Sequence, residues 1–144
     1  MIRNRLVPEI EVLVATVQWL QERKVLPYQF SVAQGEGIDL GASQKQVIEA
    51  KGAGKGGKQT QRTNFDRALA SVVSYYTDTV PNETPDARPC LGLALPATPI
   101  YTSELRRRVQ KPLRRQLNLW VLLYEPESRE IRAFSPDADY SPTE

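Results

Sequence analysis

GIDLGASQKQVIEAKG, Gly37 to Gly52, holds two short runs that read as strands, Ile38 to Gly41 and Gln46 to Lys51, and places Asp39, Glu49 and Lys51 within them. Charged side chains are rarely buried unless paired or bound to a metal, so two strands carrying three of them have either a wet face or a chemical role. Alternation puts Glu49 and Lys51 on one face and Ile48 and Ala50 on the other. A turn centred near Gln44 predicts antiparallel pairing with residue 39 opposite residue 49, their Cβ atoms about 5 Å apart. Carboxylates facing one another at that separation repel, and each raises the other's pKa unless a cation lies between them. Mg²⁺ held by one or two carboxylates and several waters resolves the conflict, with Mn²⁺ as an expected substitute. Lys51, one pleat further on, is placed to assist the attacking water or to neutralise charge developing on a phosphate. A merely solvated hairpin face remains the plain alternative.

The flanking sequence supplies the other elements. Pro8 opens a segment in which Ile10, Leu13, Val14, Val17 and Leu20 recur at helical spacing, predicting an amphipathic helix over 8–23. Residues 28–32 alternate as a strand, the first of a three-strand meander completed by 38–41 and 46–51. Thr63 and Asp66 resemble a capping box, and Phe65, Leu69, Val72, Val73 and Tyr76 fall on one helical face. LGLAL at 91–95 and LWVLLY at 119–124 read as strands buried on both faces. Between them Thr102 or Ser103 can cap a helix over 103–117, which Pro112 kinks or divides. IRAF at 131–134 predicts an edge strand before a frayed acidic tail. Right-handed crossovers place 46–51, 91–95 and 119–124 in one mixed sheet with helices on its faces, an α/β fold.

With 144 residues and 40% hydrophobic content, the chain reads as one domain, core 5–125, with the edge strand and tail over 126–144. A lone cysteine, Cys90, excludes an internal disulfide, and the lack of histidine argues against zinc. No apolar run approaches the roughly 20 residues that span a bilayer, and the N-terminus lacks a signal-peptide core, so a cytoplasmic protein without membrane attachment is expected.

Strand with Asp39, strand with Glu49 and Lys51, then helix, strand, helix, strand: this order and spacing resembles the PD-(D/E)xK nuclease superfamily, which includes many restriction endonucleases and the archaeal Holliday-junction resolvases. The resemblance covers roughly residues 5–125. It implies a restriction-endonuclease-like αβββαβ core with a further helix and strand, Asp39 and Glu49 as Mg²⁺ ligands, Lys51 assisting the water, and DNA as substrate. It also implies an acidic residue on the first helix completing the site, with Glu11 preferred over Glu9. The chain departs from the pattern in having Gly37-Ile38 where a proline usually precedes the Asp, and Ser71 to Tyr75 where some members carry Gln and Tyr.

Two features compete for a phosphate. GAGKGGK, Gly52 to Lys58, nearly spells a P-loop but has Gln59 where a hydroxyl is needed, and its helix is expected only near Thr63. Beside a metal site, Lys55, Lys58, Gln61 and Arg62 could instead touch DNA. On the later helix Arg107, Lys111 and Arg114, with Arg108, form a stripe suited to phosphates or simply to solvent. Trp19, Trp120, Tyr75, Tyr76 and Tyr124 sit in apolar periodic runs and are expected in the core. The reading is a Mg²⁺-dependent endonuclease. The alternatives are a DNA-binding or regulatory protein, in rearrangement, excision or defence, that keeps the fold without activity, and a P-loop nucleotide binder. Homodimerisation, common among enzymes of this kind that cut both strands, stays open.

Overall fold

The computed structural model describes residues 6–22, 31–33, 46–54, 57–75 and 90–140. Among them are four helices, α1 (Glu9–Glu22), α2 (Lys58–Val73), α3 (Pro99–Arg108) and α4 (Lys111–Leu117), and five strands, β1 (Ser31–Ala33), β2 (Gln46–Ala50), β3 (Cys90–Pro96), β4 (Leu119–Glu125) and β5 (Glu130–Phe134). The strands form one sheet in sequence order, β1 to β4 parallel and β5 antiparallel at the edge. It is a mixed sheet flanked by helices.

The two apolar runs behave as expected. Leu91 to Pro96 and Val121 to Tyr124 are buried because helices cover both faces. Crossovers from β2 to β3 and from β3 to β4 put α2, α3 and α4 on one face. α1 covers the other, where Trp19 meets Trp120 edge to face at 6.4 Å. Tyr124 is buried and Tyr75 partly so, which fits core roles, while Tyr76 lies outside the described residues. Cys90 lies in an apolar pocket with Trp19, Ile48 and Trp120, and burial pushes its thiol up to about 11.

Several expectations are corrected. β1 pairs directly and in parallel with β2, setting Ala33 beside Glu49, while Leu93 of β3 takes the other side. Both hydrogen-bonding edges of β2 at Glu49 are therefore occupied, and an antiparallel partnership of residues 39 and 49 has no free edge to use. α2 begins at Lys58, with Gly57 as N-cap and no side-chain cap, so Thr63 and Asp66 are interior residues rather than a capping box. Lys, Gln and Arg are good helix formers, and they carry the helix five residues back toward the glycines. On α1 the buried line is Val12, Thr16 and Leu20, leaving Ile10 63% exposed. Thr16 can join that line because its hydroxyl donates to the Val12 carbonyl at 2.8 Å.

The predicted helix 103–117 is two helices. α3 starts earlier, capped by Thr98 whose Oγ1 accepts from the Tyr101 amide at 3.2 Å, with Pro99 in the first turn. Pro112 lies in the first turn of α4, where its missing N–H costs nothing, and Asn118 closes that helix in the left-handed conformation. Residues 135–140 are not frayed. Tyr140 stacks edge to face on Phe134 at 5.1 Å, its hydroxyl donates to the Val109 carbonyl, and burial pushes that hydroxyl's pKa up to about 12.

Candidate functional site

Parallel strands end together, and the turns beyond their carboxyl ends are where open α/β sheets gather chemistry. Here Lys51 leaves β2 with its amide donating to the Ala94 carbonyl of β3 at 3.1 Å. Gly52 and Ala53 then run against the segment entering α1: Val7 and Ala53 exchange two backbone hydrogen bonds, each 2.8 Å. Tyr101, fully buried in the first turn of α3, donates its hydroxyl to the Gly52 carbonyl at 2.9 Å. Thus β2, α1, α2 and α3 meet within a few residues of Lys51.

Glu49 is the buried acid of this junction, only 7% exposed, and accepts a hydrogen bond from Ser71 Oγ of α2 at 2.9 Å. Burial raises its pKa, the Ser71 hydrogen bond and the Lys51 charge pull it back, and the charge of Glu9 adds to the rise. Glu9 also raises the pKa of Tyr101, whose hydroxyl is lifted first by burial and lowered by a hydrogen bond from Asn64. The charge of Glu9 therefore acts on both Glu49 and Tyr101. Glu11, preferred from the sequence, instead accepts a hydrogen bond from the Tyr124 hydroxyl of β4. Positions two apart on a helix are about 200° apart, so the two acids have different neighbours.

Carboxylate oxygens suit a hard cation, and Mg²⁺ takes one or two carboxylates and keeps several waters, so Glu49, with the charge of Glu9 acting on it, is the residue of this junction that could hold one. Among the described residues no group of three or more His, Cys, Asp or Glu is gathered to hold a metal. Asp39 and Lys55 lie outside the described residues.

The remaining sequence candidates separate. Lys58 is exposed at the start of α2. Gln61 accepts from Thr98 Oγ1 at 2.7 Å and ties α2 to the α3 cap. Arg62 lies 3.7 Å and Arg107 2.9 Å from the buried Glu104. Lys111 pairs with Asp139 at 2.6 Å. Arg114 departs from the expected solvent-facing stripe: it is 1% exposed and donates to the Ser135 and Ala138 carbonyls at 2.7 and 2.6 Å, because the chain after β5 folds back over α4. Sequence reasoning missed Tyr101, Ser71 and Glu104, and marked Asn64 only as a polar group near the start of α2 that could touch substrate. The Thr98-Pro99 cap could have placed Tyr101 one turn into a helix, but nothing local marks its partner. As for the P-loop reading, the early start of α2 at Lys58 removes one objection and the pairing of Ala53 with Val7 adds a stronger one, since that backbone is already engaged.

Glu49→Gln provides a stability test of this junction. A carboxyl whose folded pKa is raised above its ordinary 4.5 leaves full stability below that value and costs stability as pH rises through the folded pKa. The amide keeps an acceptor for Ser71 without the charge. Melting at pH 7 should rise by about 3 °C, the size of a gain of about 1 kcal/mol in a domain of this length. At pH 4 the gain should vanish, and an equal gain at both pH values would refute the electrostatic account.

Comparisons with family models, with curated proteins and with solved structures give no match. Among the described residues no helix is long and apolar enough to cross a membrane.

Proposed function

We propose that the chain is a divalent-metal-dependent nuclease that hydrolyses DNA phosphodiesters, with a restriction-endonuclease-like core. The observation that carries this reading is the buried Glu49, its pKa raised, two residues before Lys51 at the carboxyl end of β2 and within the field of Glu9. Glu49 accepts a hydrogen bond from a hydroxyl, the Lys51 charge favours its anion and the Glu9 charge opposes it, so burial leaves a carboxyl with raised pKa beside a cation, the combination common at functional sites.

Glu49 and Glu9 would hold the metal, with Asp39 the third carboxylate of the sequence pattern. A Mg²⁺ ion there would neutralise phosphate charge and acidify water. Lys51 offers an ammonium donor beside Glu49 for the oxygen on which negative charge develops. Tyr101, its hydroxyl hydrogen-bonded by Asn64, holds the Gly52 carbonyl, and so fixes the backbone next to Lys51. The reaction needs no covalent intermediate.

The test is cleavage of labelled duplex, single-stranded and four-way-junction DNA in Mg²⁺, Mn²⁺ or EDTA. Wild type is compared with Glu49→Gln, Lys51→Ala, Glu9→Gln, Glu11→Gln and Asp39→Ala. Metal-dependent cutting, lost in the Glu49, Lys51 and Glu9 variants and kept in Glu11→Gln, is the expected result. Folded wild type that binds DNA without cutting it in either metal would replace this reading by that of a DNA-binding protein.

A further inference from the structure

Glu104, in the second turn of α3, is 3% exposed and gathers three guanidiniums. Arg107 Nη2 donates to Oε2 at 2.9 Å, Arg108 Nη1 donates to Oε1 at 3.1 Å, and Arg62 Nε of α2 lies 3.7 Å from Oε2. Burial opposes ionisation of Glu104, but hydrogen bonds from Arg108 and Arg107, and their charges, hold its pKa below the ordinary value. Arg108 Nη1 also donates to Asp66 Oδ1 of α2 at 2.6 Å, and its guanidinium lies over the Phe65 ring at 5.1 Å. The buried acid faces inward, while the arginine side chains remain 48% (Arg62), 65% (Arg107) and 39% (Arg108) exposed.

One arginine would suffice to neutralise a buried carboxylate. Among the described residues, three arginines against Glu104 and Asp66 leave one positive charge, and Lys58, one turn before Arg62 and exposed, makes it two. On α4 the cations that reach solvent are matched, Lys111 by Asp139 at 2.6 Å and Arg115 by Asp137 at 2.7 Å, and the third, Arg114, is buried on backbone carbonyls. Of the surplus charge that an outside ligand can reach, the part held in fixed geometry thus includes the arginine cluster between α2 and α3. A guanidinium has five N–H donors, so an arginine that gives one or two to Glu104 keeps others for an outside acceptor in a fixed fork. Planar forks held in place, spare donors and net positive charge suit phosphate oxygens.

We propose that the surface where α2 and α3 meet binds the phosphate backbone of a nucleic acid through Arg62, Arg107 and Arg108, with Glu104 as the positioning residue that sets their directions. Naming nucleic acid as the occupant rests on the nuclease reading. This surface and the candidate site share two helices: Glu104 stands one turn after Tyr101 on α3, and Arg62 and Asn64 lie in the same turns of α2.

The experiment is fluorescence anisotropy of a labelled duplex of about 20 base pairs in EDTA, over a series of salt concentrations. The Arg62→Ala/Arg107→Ala variant leaves Glu104 paired with Arg108. It should weaken binding about tenfold and reduce the slope of log K against log salt by about two. Lys111→Ala/Arg115→Ala should change neither. Arg107→Glu alone, on the most exposed of the three, supplies a second test that does not depend on Arg62. Unchanged binding by folded variants, an equal loss from the α4 pair, or polyglutamate competing as well as DNA would overturn the proposal. Cleavage is read separately in Mg²⁺, so loss of the nuclease reading leaves this result standing or falling by itself.

Discussion

Replacing Arg114 with methionine should lower the melting temperature by about 10 °C, the largest loss expected from any basic residue of α3 or α4. Arg114 is 1% exposed, donates to two backbone carbonyls of the returning chain, and lies 4.5 Å over the Tyr140 ring. Methionine fills much of the volume but leaves the Ser135 and Ala138 carbonyls without their charged donor. Hydrogen bonds from charged groups are worth about 1.5–3 kcal/mol each, and the two are not additive, so about 3 kcal/mol is expected. In a domain of this length each kcal/mol shifts melting by about 3 °C. Lysine should not rescue, because one ammonium cannot reproduce a planar fork spanning two carbonyls. Lys111→Ala and Arg115→Ala, whose partners Asp139 and Asp137 are 84% and 78% exposed, should each cost about 0.5 kcal/mol or less. Thermal unfolding followed by circular dichroism checks all four, and a loss below about 1 kcal/mol for Arg114→Met would show that the C-terminal segment is held by its apolar contacts instead.

Arg114 also shows where sequence reading reaches its limit. In KPLRRQL, Arg114 and Arg115 look alike, yet one is buried and the other salt-bridges at the surface. The difference depends on where residues 135–140 fold back, and no local pattern encodes that. The strands of the core were legible because burial on both faces leaves an unbroken apolar run, as in LGLAL and LWVLLY. Which neighbour a strand takes was less so: alternation assigns Glu49 and Lys51 to a face but says nothing about whether residue 33 or residue 39 lies beside Glu49. For the site, Glu49 and Lys51 stood out as charges in an apolar strand. Glu9 and Glu11 differ only in direction around a helix whose apolar periodicity misleads, since the exposed Ile10 and Val14 made a better stripe on paper than the buried Val12 and Thr16. Tyr101 had no signal because its partners Gly52 and Asn64 are about 40 residues or more away in sequence, while Arg107 and Arg108 at i+3 and i+4 mark a pairing for Glu104 but not its burial against Arg62 of α2.

Gly52→Ala should destabilise the fold by about 3 kcal/mol or more, while Gly54→Ala, two residues on in the same glycine-rich run, should change stability by about 0.5 kcal/mol or less. A Cβ at Gly52 would lie 2.2 Å from the Val7 carbonyl oxygen, 2.6 Å from the Glu9 nitrogen and 2.8 Å from the Pro8 carbonyl carbon. All three are backbone atoms, so no side chain can swing aside, and relief requires separating the start of α1 from the end of β2. That movement would break the paired hydrogen bonds between Val7 and Ala53, both buried, and pull the Gly52 carbonyl from Tyr101. At Gly54 an added Cβ meets nothing within 4 Å. The first glycine is therefore required by close approach of two backbones, whereas a phosphate-wrapping loop would need its successors as well. Because the same approach brings Glu9 toward Glu49, Gly52→Ala should also diminish the upward pull on Glu49. Introduced together with Glu49→Gln, it should melt lower than Gly52→Ala alone by no amount, or higher by less than the gain Glu49→Gln gives in the wild-type background. Equal melting of the Gly52 and Gly54 variants would mean that α1 is not seated on β2 through this contact, and the pairing of Glu9 with Glu49 would fall with it.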